Sequence, residues 1–421
     1  MTDTAPTAAD QPTDPPLWSP SPSGSVSTWL KKNLFRSRLD GVVTVVAGTI
    51  ILIAGFRFLR FVFVTGRWQI VRENLSLYLT GSWPEEHLWR LVVVVVGLAL
   101  IAGFIGGFSA GRIDDDPSRA VSLAGRDRLV DLGSRLWPLV VTVALLLALT
   151  TTIGPLLVAA GAIVAAVAGN MAGRAVPGGM SAVPVVVGVL FLTLAGIWLL
   201  NAGLSWNSWG GMVLNLSLAT ISIALCFPIG VLLALARRSE YPILRWLSTG
   251  YIELFRGVPL IGLLLMANVA LGFFIPNSLA PGKVVRAIVI FVLFTSAYIA
   301  EIVRGGLQSV PPGQIEAGKA NGLTPIPIIT RIVLPQAIRN VIPALVGQFI
   351  SLFKDTTLAG AAMGLTDLLG GAEASTAQAD FRGQGLIAET LVFVLLIFWA
   401  GSYTMSRESQ RLETKLGVGE R

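Results

Sequence analysis

The side chains best suited to chemistry in this chain are charged or hydroxyl-bearing groups that interrupt long apolar segments. Lys354, Asp355, Thr356 and Thr357 follow one another at the end of one such segment, and Ser296 lies inside another. An ionisable side chain within a membrane helix costs about 2.5–3.5 kcal/mol on insertion scales, so it needs a partner or a water-filled cavity. These residues predict either a polar path across the membrane or, alternatively, an internal network that only fixes helix packing.

A second set of charged residues lies near the ends of two other apolar segments. Glu301 precedes Arg304 by three positions, and Glu253 precedes Arg256 by the same spacing, so each pair shares one helical face. Such pairs predict a structural or gating role rather than contact with a transported solute. Pro259 follows the second pair and is expected to bend its helix just inside the membrane.

The sequence lacks the residue clusters that most catalytic and metal sites require. It contains a single cysteine, Cys226, and a single histidine, His87, which excludes a disulfide within the chain and a clustered His/Cys metal site. It has no carboxylate cluster with catalytic spacing and no G-x-x-x-x-G-K-[ST] phosphate loop. A membrane enzyme is therefore disfavoured, no catalytic residue or metal ligand is assigned, and ATP hydrolysis would require a separate polypeptide.

The elements that must position these residues are helices that span a membrane. Of the 421 residues, 53% are hydrophobic and only 13% are charged, whereas soluble domains carry about 25% charged residues. Apolar runs of about 20 residues indicate helices, because the strands of a membrane barrel would be shorter and alternating. The net charge of +7 fits Lys and Arg gathered on cytoplasmic loops rather than nucleic-acid binding. We therefore predict an all-α polytopic membrane protein.

Loop charges and interfacial aromatic residues predict about ten spans with both termini in the cytoplasm. The apolar stretch 136–169 would be about 50 Å long as one helix, well beyond a hydrocarbon core of about 30 Å. Three crossings are needed between a cytoplasmic Arg135 and an external Ser205, so this stretch is expected to form two short spans. The other predicted spans include 41–63, 91–110, 182–203, 211–236, 251–275 and 284–302. The predicted divisions are a disordered cytoplasmic tail at 1–40, an amino-terminal extension of about five spans at 41–204, a five-span core at 205–406 and a cytoplasmic tail at 407–421.

A polar segment, 310–340, separates two of the core spans and reads VPPGQIEAGKANGLTPIPIITRIVLPQAIRN. Residues 314–320 are predicted to form two turns of helix, which Gly322 ends by adopting a left-handed conformation. The prolines that follow prevent this helix from continuing, and a second helix is expected from about Ile328.

The same segment resembles the EAA loop of bacterial ABC importer permeases, whose pattern is E-A-A-x3-G-x9-I-x-L-P. The matching positions here are Glu316, Ala317, Gly318, Gly322, Ile332, Leu334 and Pro335. Gly318 alone departs from the pattern, since the family usually has a second Ala there. In that family the loop is a cytoplasmic helix-turn-helix that the ATPase subunit binds. The resemblance therefore implies that Glu316, Ala317, Gly318, Gly322, Leu334 and Pro335 couple this chain to an ATPase.

A longer resemblance covers about 210–406, which is similar to the permeases of polar amino acid ABC importers. The segments that carry it are GVLLALAR at 230–237, YIELFRGVPL at 251–260, SAYIAEIVRGGL at 296–307, the EAA loop, and FISLFKDTTL at 349–358. The long amino-terminal half and its loop EEHLW at 85–89 resemble the larger subunit of the general L-amino-acid importers. The resemblance implies a type I importer (MetI-like) fold for the last five spans.

The resemblance implies that this chain is a permease subunit of the bacterial inner membrane and that it works by alternating access. It implies a homodimeric ABC ATPase that holds ATP and Mg²⁺, a second and different permease, and an external amino acid binding protein. No cofactor is implied on this chain, and membrane lipid is expected to surround it. In that setting, Lys354, Asp355, Thr356, Thr357 and Ser296 would line half of a path for a zwitterionic amino acid.

Two other functions remain open at this point. A secondary amino acid transporter driven by an ion gradient would also show broken helices and buried charges, but it predicts an inverted repeat, and the EAA-type segment occurs once. A scaffold role is possible if the partner permease alone contacts the substrate. The sequence does not reveal which amino acids are carried.

Overall fold

The computed structural model describes residues 26–114, 125–149, 154–176, 209–276 and 280–416, together with a few positions between 188 and 202. Over these residues the regular elements are helices. They are α1 (Val26–Asn33), α2 (Arg38–Arg60), α3 (Gln69–Glu73), α4 (Leu75–Thr80), α5 (Leu88–Asp114), α6 (Gly125–Leu149), α7 (Gly154–Arg174), α8 (Gly211–Arg237), α9 (Pro242–Gly257), α10 (Leu260–Leu265), α11 (Leu271–Phe274), α12 (Lys283–Ser309), α13 (Pro312–Ala320), α14 (Pro325–Pro327), α15 (Leu334–Asp355), α16 (Leu358–Met363), α17 (Leu368–Ala377) and α18 (Ile387–Leu416). Short π-helical turns extend α2, join α10 to α11, and join α14 to α15.

The described chain divides into two compact units, residues 1–66 and 67–421. In the first unit, α2 begins at a capping box in which Ser37 and Asp40 each bind the other's backbone N–H. This cap and α1 lie within the segment 1–40 that was expected to be disordered, so that prediction is wrong for residues 26–40. Residues 1–25 lie outside the described part of the chain.

Within the described residues, seven helices are long and apolar enough to cross a membrane, or eight if a bent helix pair is counted as one crossing. The stretch 136–169 forms two helices, α6 and α7, as expected from its length. The apolar part of α6, Trp137–Leu149, is shorter than the other crossings. The span expected at 182–203 lies mostly outside the described residues, and the carboxyl-terminal tail continues α18 as helix to Leu416.

Helices α9 and α10 form the bent pair, in the region where a single crossing, 251–275, was expected. Helix α9 ends at Gly257, α10 begins at Leu260, and the two helical segments meet at an angle of 98°. Val258 and Pro259 between them are extended, because proline has no N–H to donate and disfavours helix in the residue before it. The expected bend is therefore a complete break in the helix.

The centre of the second unit is formed by α8, α12 and α15. Gly230 of α8 lies so close to α12 that an added Cβ would stand 2.5 Å from Ile299 Cγ2. A Cβ added to Gly306 of α12 would likewise stand 2.5 Å from the carbonyl oxygen of Ala337 on α15. Large buried side chains such as Phe291 fill the remaining space. The absence of side chains at the two glycines thus sets how closely the core helices approach.

Helices α5 and α7 of the extension pack through interlocking glycines. A Cβ at Gly103 would lie 2.0 Å from the Ala166 carbonyl oxygen, and one at Gly107 would lie 2.0 Å from that of Asn170. From the other side, a Cβ added to Gly169 or Gly173 would lie 2.1 or 2.2 Å, respectively, from a carbonyl oxygen of α5. The two backbones are therefore in direct contact, as in the small-residue interfaces of membrane helices.

Candidate coupling and transport site

The segment 310–340 forms a helical hairpin. Helix α13 covers the two turns predicted at 314–320, and Gly322 follows it with φ +75°, the left-handed conformation expected there. The second helix begins at Pro325, slightly earlier than expected, because a proline in the first turn of a helix loses no hydrogen bond. It continues through the π-helical turn Ile328–Val333 and α15, so that Pro325–Asp355 is one helical span.

The six predicted coupling residues divide by exposure. Glu316, Ala317, Gly322 and Pro335 are exposed, and Leu334 packs against the main core. Gly318 is buried within the hairpin, where an added Cβ would lie 3.0 Å from Ile328 Cγ1 and 3.3 Å from Ile332 Cδ1. Gly318 therefore packs the two helices of the hairpin together, and its predicted part in coupling to an ATPase stays a prediction.

The charged residues of α8, α9 and α12 meet in one cluster around Glu301. Arg304 Nε donates to Glu301 Oε1 at 3.0 Å, and Arg237 Nη1 lies 3.0 Å from Glu301 Oε2. Arg256 Nη1 is 4.0 Å from the same oxygen, and its guanidinium lies 5.6 Å from the Tyr298 ring centroid. One carboxylate thus connects arginines from three helices.

This cluster corrects the pairing predicted for Glu253 and Arg256. Glu253 instead pairs with Arg237 at 3.0 Å, and Arg256 pairs with Glu301, so both contacts run between helices. The Glu301–Arg304 pair is present as predicted. Sequence reasoning missed Arg237, although its position at the end of the segment GVLLALAR was a signal that a partner was needed.

The residues predicted to line a path separate into two groups. Thr356 is fully buried, where its hydroxyl donates to the Phe353 carbonyl at 2.7 Å and accepts from Asn215 Nδ2 at 3.1 Å. Ser296 is also fully buried, with its hydroxyl 2.8 Å from Tyr251 Oη. Neither side chain presents a surface to a path, so for these two the structure favours the packing interpretation.

Lys354, Asp355 and Thr357 are not buried in the same way. Lys354 is exposed, and Asp355 and Thr357 are partly exposed, at the end of α15 opposite to the hairpin. The Thr357 hydroxyl donates to the Lys354 carbonyl at 2.8 Å. These three residues keep polar groups at the surface of the chain.

A buried polar network that the sequence reasoning missed joins α8 to α17. Asp367 is fully buried and caps α17 by accepting from the Gly370 N–H at 2.8 Å. Its other carboxylate oxygen accepts from Asn215 Nδ2 at 3.1 Å, and Asn215 Oδ1 accepts from the Leu368 N–H at 2.9 Å. Burial raises the pKa of Asp367 to about 6. An asparagine inside an apolar run was the available signal, because such side chains bind neighbouring helices.

Over the described residues, no group of three or more His, Cys, Asp or Glu side chains is arranged to hold a metal ion. The polar groups of this region are instead paired carboxylates, guanidinium groups and amides. Such an arrangement suits a helix assembly with a few breakable ionic contacts.

Comparison with known proteins identifies the family. Residues 226–406 match the family described as "Binding-protein-dependent transport system inner membrane component". Along almost its whole length the chain is 31% identical to the inner membrane amino-acid ABC transporter permease protein YhdY of Escherichia coli strain K12, with 96% of this chain and 97% of that protein covered. This chain belongs to the polar amino acid ABC importer permeases.

A second relative agrees with this assignment. The permease is 34% identical to the glutamate/glutamine/aspartate/asparagine transport system permease protein BztC of Rhodobacter capsulatus, over 83% of this chain and 78% of that protein. A crystal structure of an amino acid ABC transporter with histidines is 27% identical, with a TM-score of 0.44 over 49% of this chain and 92% of that one. As a member of this family, the permease is a multi-pass inner membrane protein that acts with an ATPase and a substrate-binding protein and is not itself an enzyme.

Proposed function

We propose that this permease forms half of the translocation path of an ATP-driven importer of polar amino acids and couples to a separate ATPase through the hairpin 310–340. The relative BztC is named for glutamate, glutamine, aspartate and asparagine, so acidic amino acids and their amides are the proposed substrates. A homodimeric ATPase supplies ATP and Mg²⁺, and a second, different permease completes the path. Both termini are cytoplasmic, residues 41–204 form the extension and 205–406 form the core.

The observation that carries this proposal is the single helical span from Pro325 to Asp355. It has 31 residues and, at about 1.5 Å per residue, measures about 45 Å. One end belongs to the hairpin and the other bears Lys354 and Asp355. A tilt imposed on the hairpin is thereby transmitted to polar groups on the opposite side of the membrane.

The hairpin has the features of a rigid docking element. Glu316 and Ala317 are exposed on α13, where a small residue permits close approach and a carboxylate can pair with a basic group. Gly318 holds α13 against the second helix from the inside. Force applied to α13 therefore reaches the long helix without a flexible joint.

The cluster around Glu301 is proposed to act as the cytoplasmic gate. It ties α8, α9 and α12 together through contacts of 3.0–4.0 Å between flexible side chains. Such contacts can open when the charged groups become hydrated, because the cluster is partly exposed and its cost lies between those of exposed and buried ion pairs. Alternating access requires contacts that form in one state and open in the other.

The polar groups retained as path residues are Lys354, Asp355 and Thr357. An ammonium group, a carboxylate and a hydroxyl offer donors and acceptors for both ends of a zwitterion. In Asp355→Asn and Lys354→Gln, we expect uptake to fall while assembly stays normal. Unchanged uptake in both variants would mean that the partner permease alone contacts the substrate.

The coupling proposal is tested with the whole complex reconstituted in liposomes. The measurement is ATPase activity with and without binding protein and amino acid, for the wild type, Glu316→Lys and Gly322→Asp. Both changes alter the exposed hairpin, so we expect the stimulation to be lost. Glu240→Lys is the control, because it reverses the charge of an exposed acid between α8 and α9, outside the hairpin. Solute movement under an ion gradient, without any ATPase, would overturn the proposal.

A further inference from the structure

The amino-terminal extension contributes a segment that is built into the core. This segment, residues 67–83, contains α3 and α4 and is called the strap below. Tyr78 of the strap is fully buried, its hydroxyl lies 2.7 Å from Ser375 Oγ on α17, and its ring is 5.2 Å from that of Phe393 on α18. Ile70 and Val71 are fully buried in the same apolar cluster. The strap thus shares one core with α17 and the beginning of α18.

Polar contacts fix the beginning and the middle of the strap to α18 and to the residue that follows α17. Asn74 Oδ1 accepts from Gln378 Nε2 at 2.6 Å, and the Arg67 N–H donates to Glu389 Oε1 at 3.0 Å. At the far end, a Cβ added to Gly81 would stand 2.4 Å from Gly210 Cα, so the backbones touch where α8 begins. Because the contacts run along its whole length, the strap is a fixed part of this face of the core rather than a free loop.

The surface that the strap presents is polar. All of its exposed residues are polar, and they are Arg67, Gln69, Arg72, Glu73, Ser76 and Ser82. By contrast, exposed residues of α5 such as Val93, Val95 and Leu98 are apolar, as expected for contact with lipid tails. The strap therefore faces water at the end of the membrane spans, where a soluble protein can reach it.

The charge of this region has the opposite sign to that of the whole chain. In the strap, the turn after it and residues 368–386, the exposed acids outnumber the exposed bases. The acids are Glu73, Glu85, Glu86, Glu373 and Asp380, and the bases are Arg67, Arg72 and Arg382. The complete chain carries a net charge of +7. A soluble partner with a basic contact surface is the complementary one.

We propose that the strap forms part of the docking surface for the external amino acid binding protein. This inference rests on the proposed function, because the loop charges that make the hairpin cytoplasmic also put the strap outside. It assigns a role to the extension: α3 and α4 enlarge the outer face of the core and hold α17 in position for the incoming protein. The contact is with a soluble protein whose facing surface is basic.

The test uses two adjacent exposed residues of α3 with opposite charge. In the complete importer in liposomes, the concentration of binding protein that gives half-maximal ATPase stimulation is measured for the wild type, Glu73→Lys and Arg72→Glu. Reversing one exposed charge is expected to change that concentration by about threefold. Glu73→Lys raises it and Arg72→Glu lowers it, and both shifts shrink in high salt. Glu240→Lys, at an exposed acid between α8 and α9, is the control and leaves the concentration unchanged.

The outcomes separate this inference from the function on which it rests. Shifts of opposite sign in the two variants support docking at the strap. Shifts in the same direction indicate that the substitutions only disturb the fold, and no shift in either variant places the docking surface elsewhere, so both results overturn the inference. If the wild type shows no stimulation by any concentration of binding protein, the proposed function fails first.

Discussion

The ionic cluster on α8, α9 and α12 gives the sharpest quantitative prediction. Glu301 has three arginine neighbours and about a quarter of its side chain is exposed, whereas Glu253 has one arginine partner and 58% exposure. Glu301→Gln keeps the size of the side chain but leaves Arg237, Arg256 and Arg304 with far less compensating charge. Removing one partner costs about 3–5 kcal/mol for a buried ion pair and about 1 kcal/mol or less for an exposed one. The partly exposed Glu301 falls between these limits, so we expect a loss of about 1–3 kcal/mol.

The matched control is Glu253→Gln, which removes one exposed contact and should cost less than about 1 kcal/mol. Both variants are compared with the wild type by unfolding the purified permease in mixed detergent and following tryptophan fluorescence. A double variant, Glu301→Gln with Arg304→Gln, should recover part of the loss, because Glu301 is the carboxylate that Arg304 pairs with and the second change removes the charge that the first leaves unpaired. Equal losses in Glu301→Gln and Glu253→Gln would show that Glu301 is not the centre of the cluster.

Three further predictions concern other parts of the permease. Burial raises the pKa of Asp367 from 3.8 to about 6, so the native state binds a proton more tightly than the unfolded state. The contribution of Asp367 to the free energy of unfolding therefore falls as the pH rises from 3.8 to about 6. Unfolding of the wild type and of Asp367→Asn over this pH range should show a difference that declines with pH and is then constant; a flat difference would contradict the raised pKa. Gly103→Val should force α5 away from the Ala166 carbonyl and reduce the yield of folded protein, whereas Gly97→Val, with nothing within 4 Å, should be tolerated. Gly318→Val should lower the melting temperature, because its Cβ would stand 3.0 Å from Ile328 Cγ1 and its two methyl groups need further space, and a melting temperature equal to or above that of the wild type would refute tight packing in the hairpin.

The parts of the fold that sequence predicts well are those set by neighbouring residues. Apolar runs of membrane length predict crossings, and a glycine followed by two prolines predicts the turn of the hairpin. Gly322 adopts the expected left-handed conformation because no side chain opposes it. The two-helix interpretation of 136–169 follows from its length together with the number of crossings needed between the neighbouring loops.

The parts that sequence does not predict depend on residues far apart in the chain. Arg237 is separated from Glu301 by 64 positions and Asn215 from Asp367 by 152, so no local pattern relates them. Ser296 and Thr356 illustrate a second limit. A hydroxyl in a membrane helix satisfies its hydrogen bonds equally well in a wet path or against a neighbouring helix, and only the packing shows which face it occupies.

The glycine contact between α5 and α7 also constrains how the permease is made. About 40 residues separate the end of α5 from the beginning of α7, and a ribosome adds roughly 5–20 residues per second. For several seconds, therefore, the glycine-lined face of α5 lies in the bilayer before α7 has been made. During that interval any other helix with small residues on its surface competes with α7 for this face. Correct assembly of the extension then depends on the timing of synthesis as well as on the final packing.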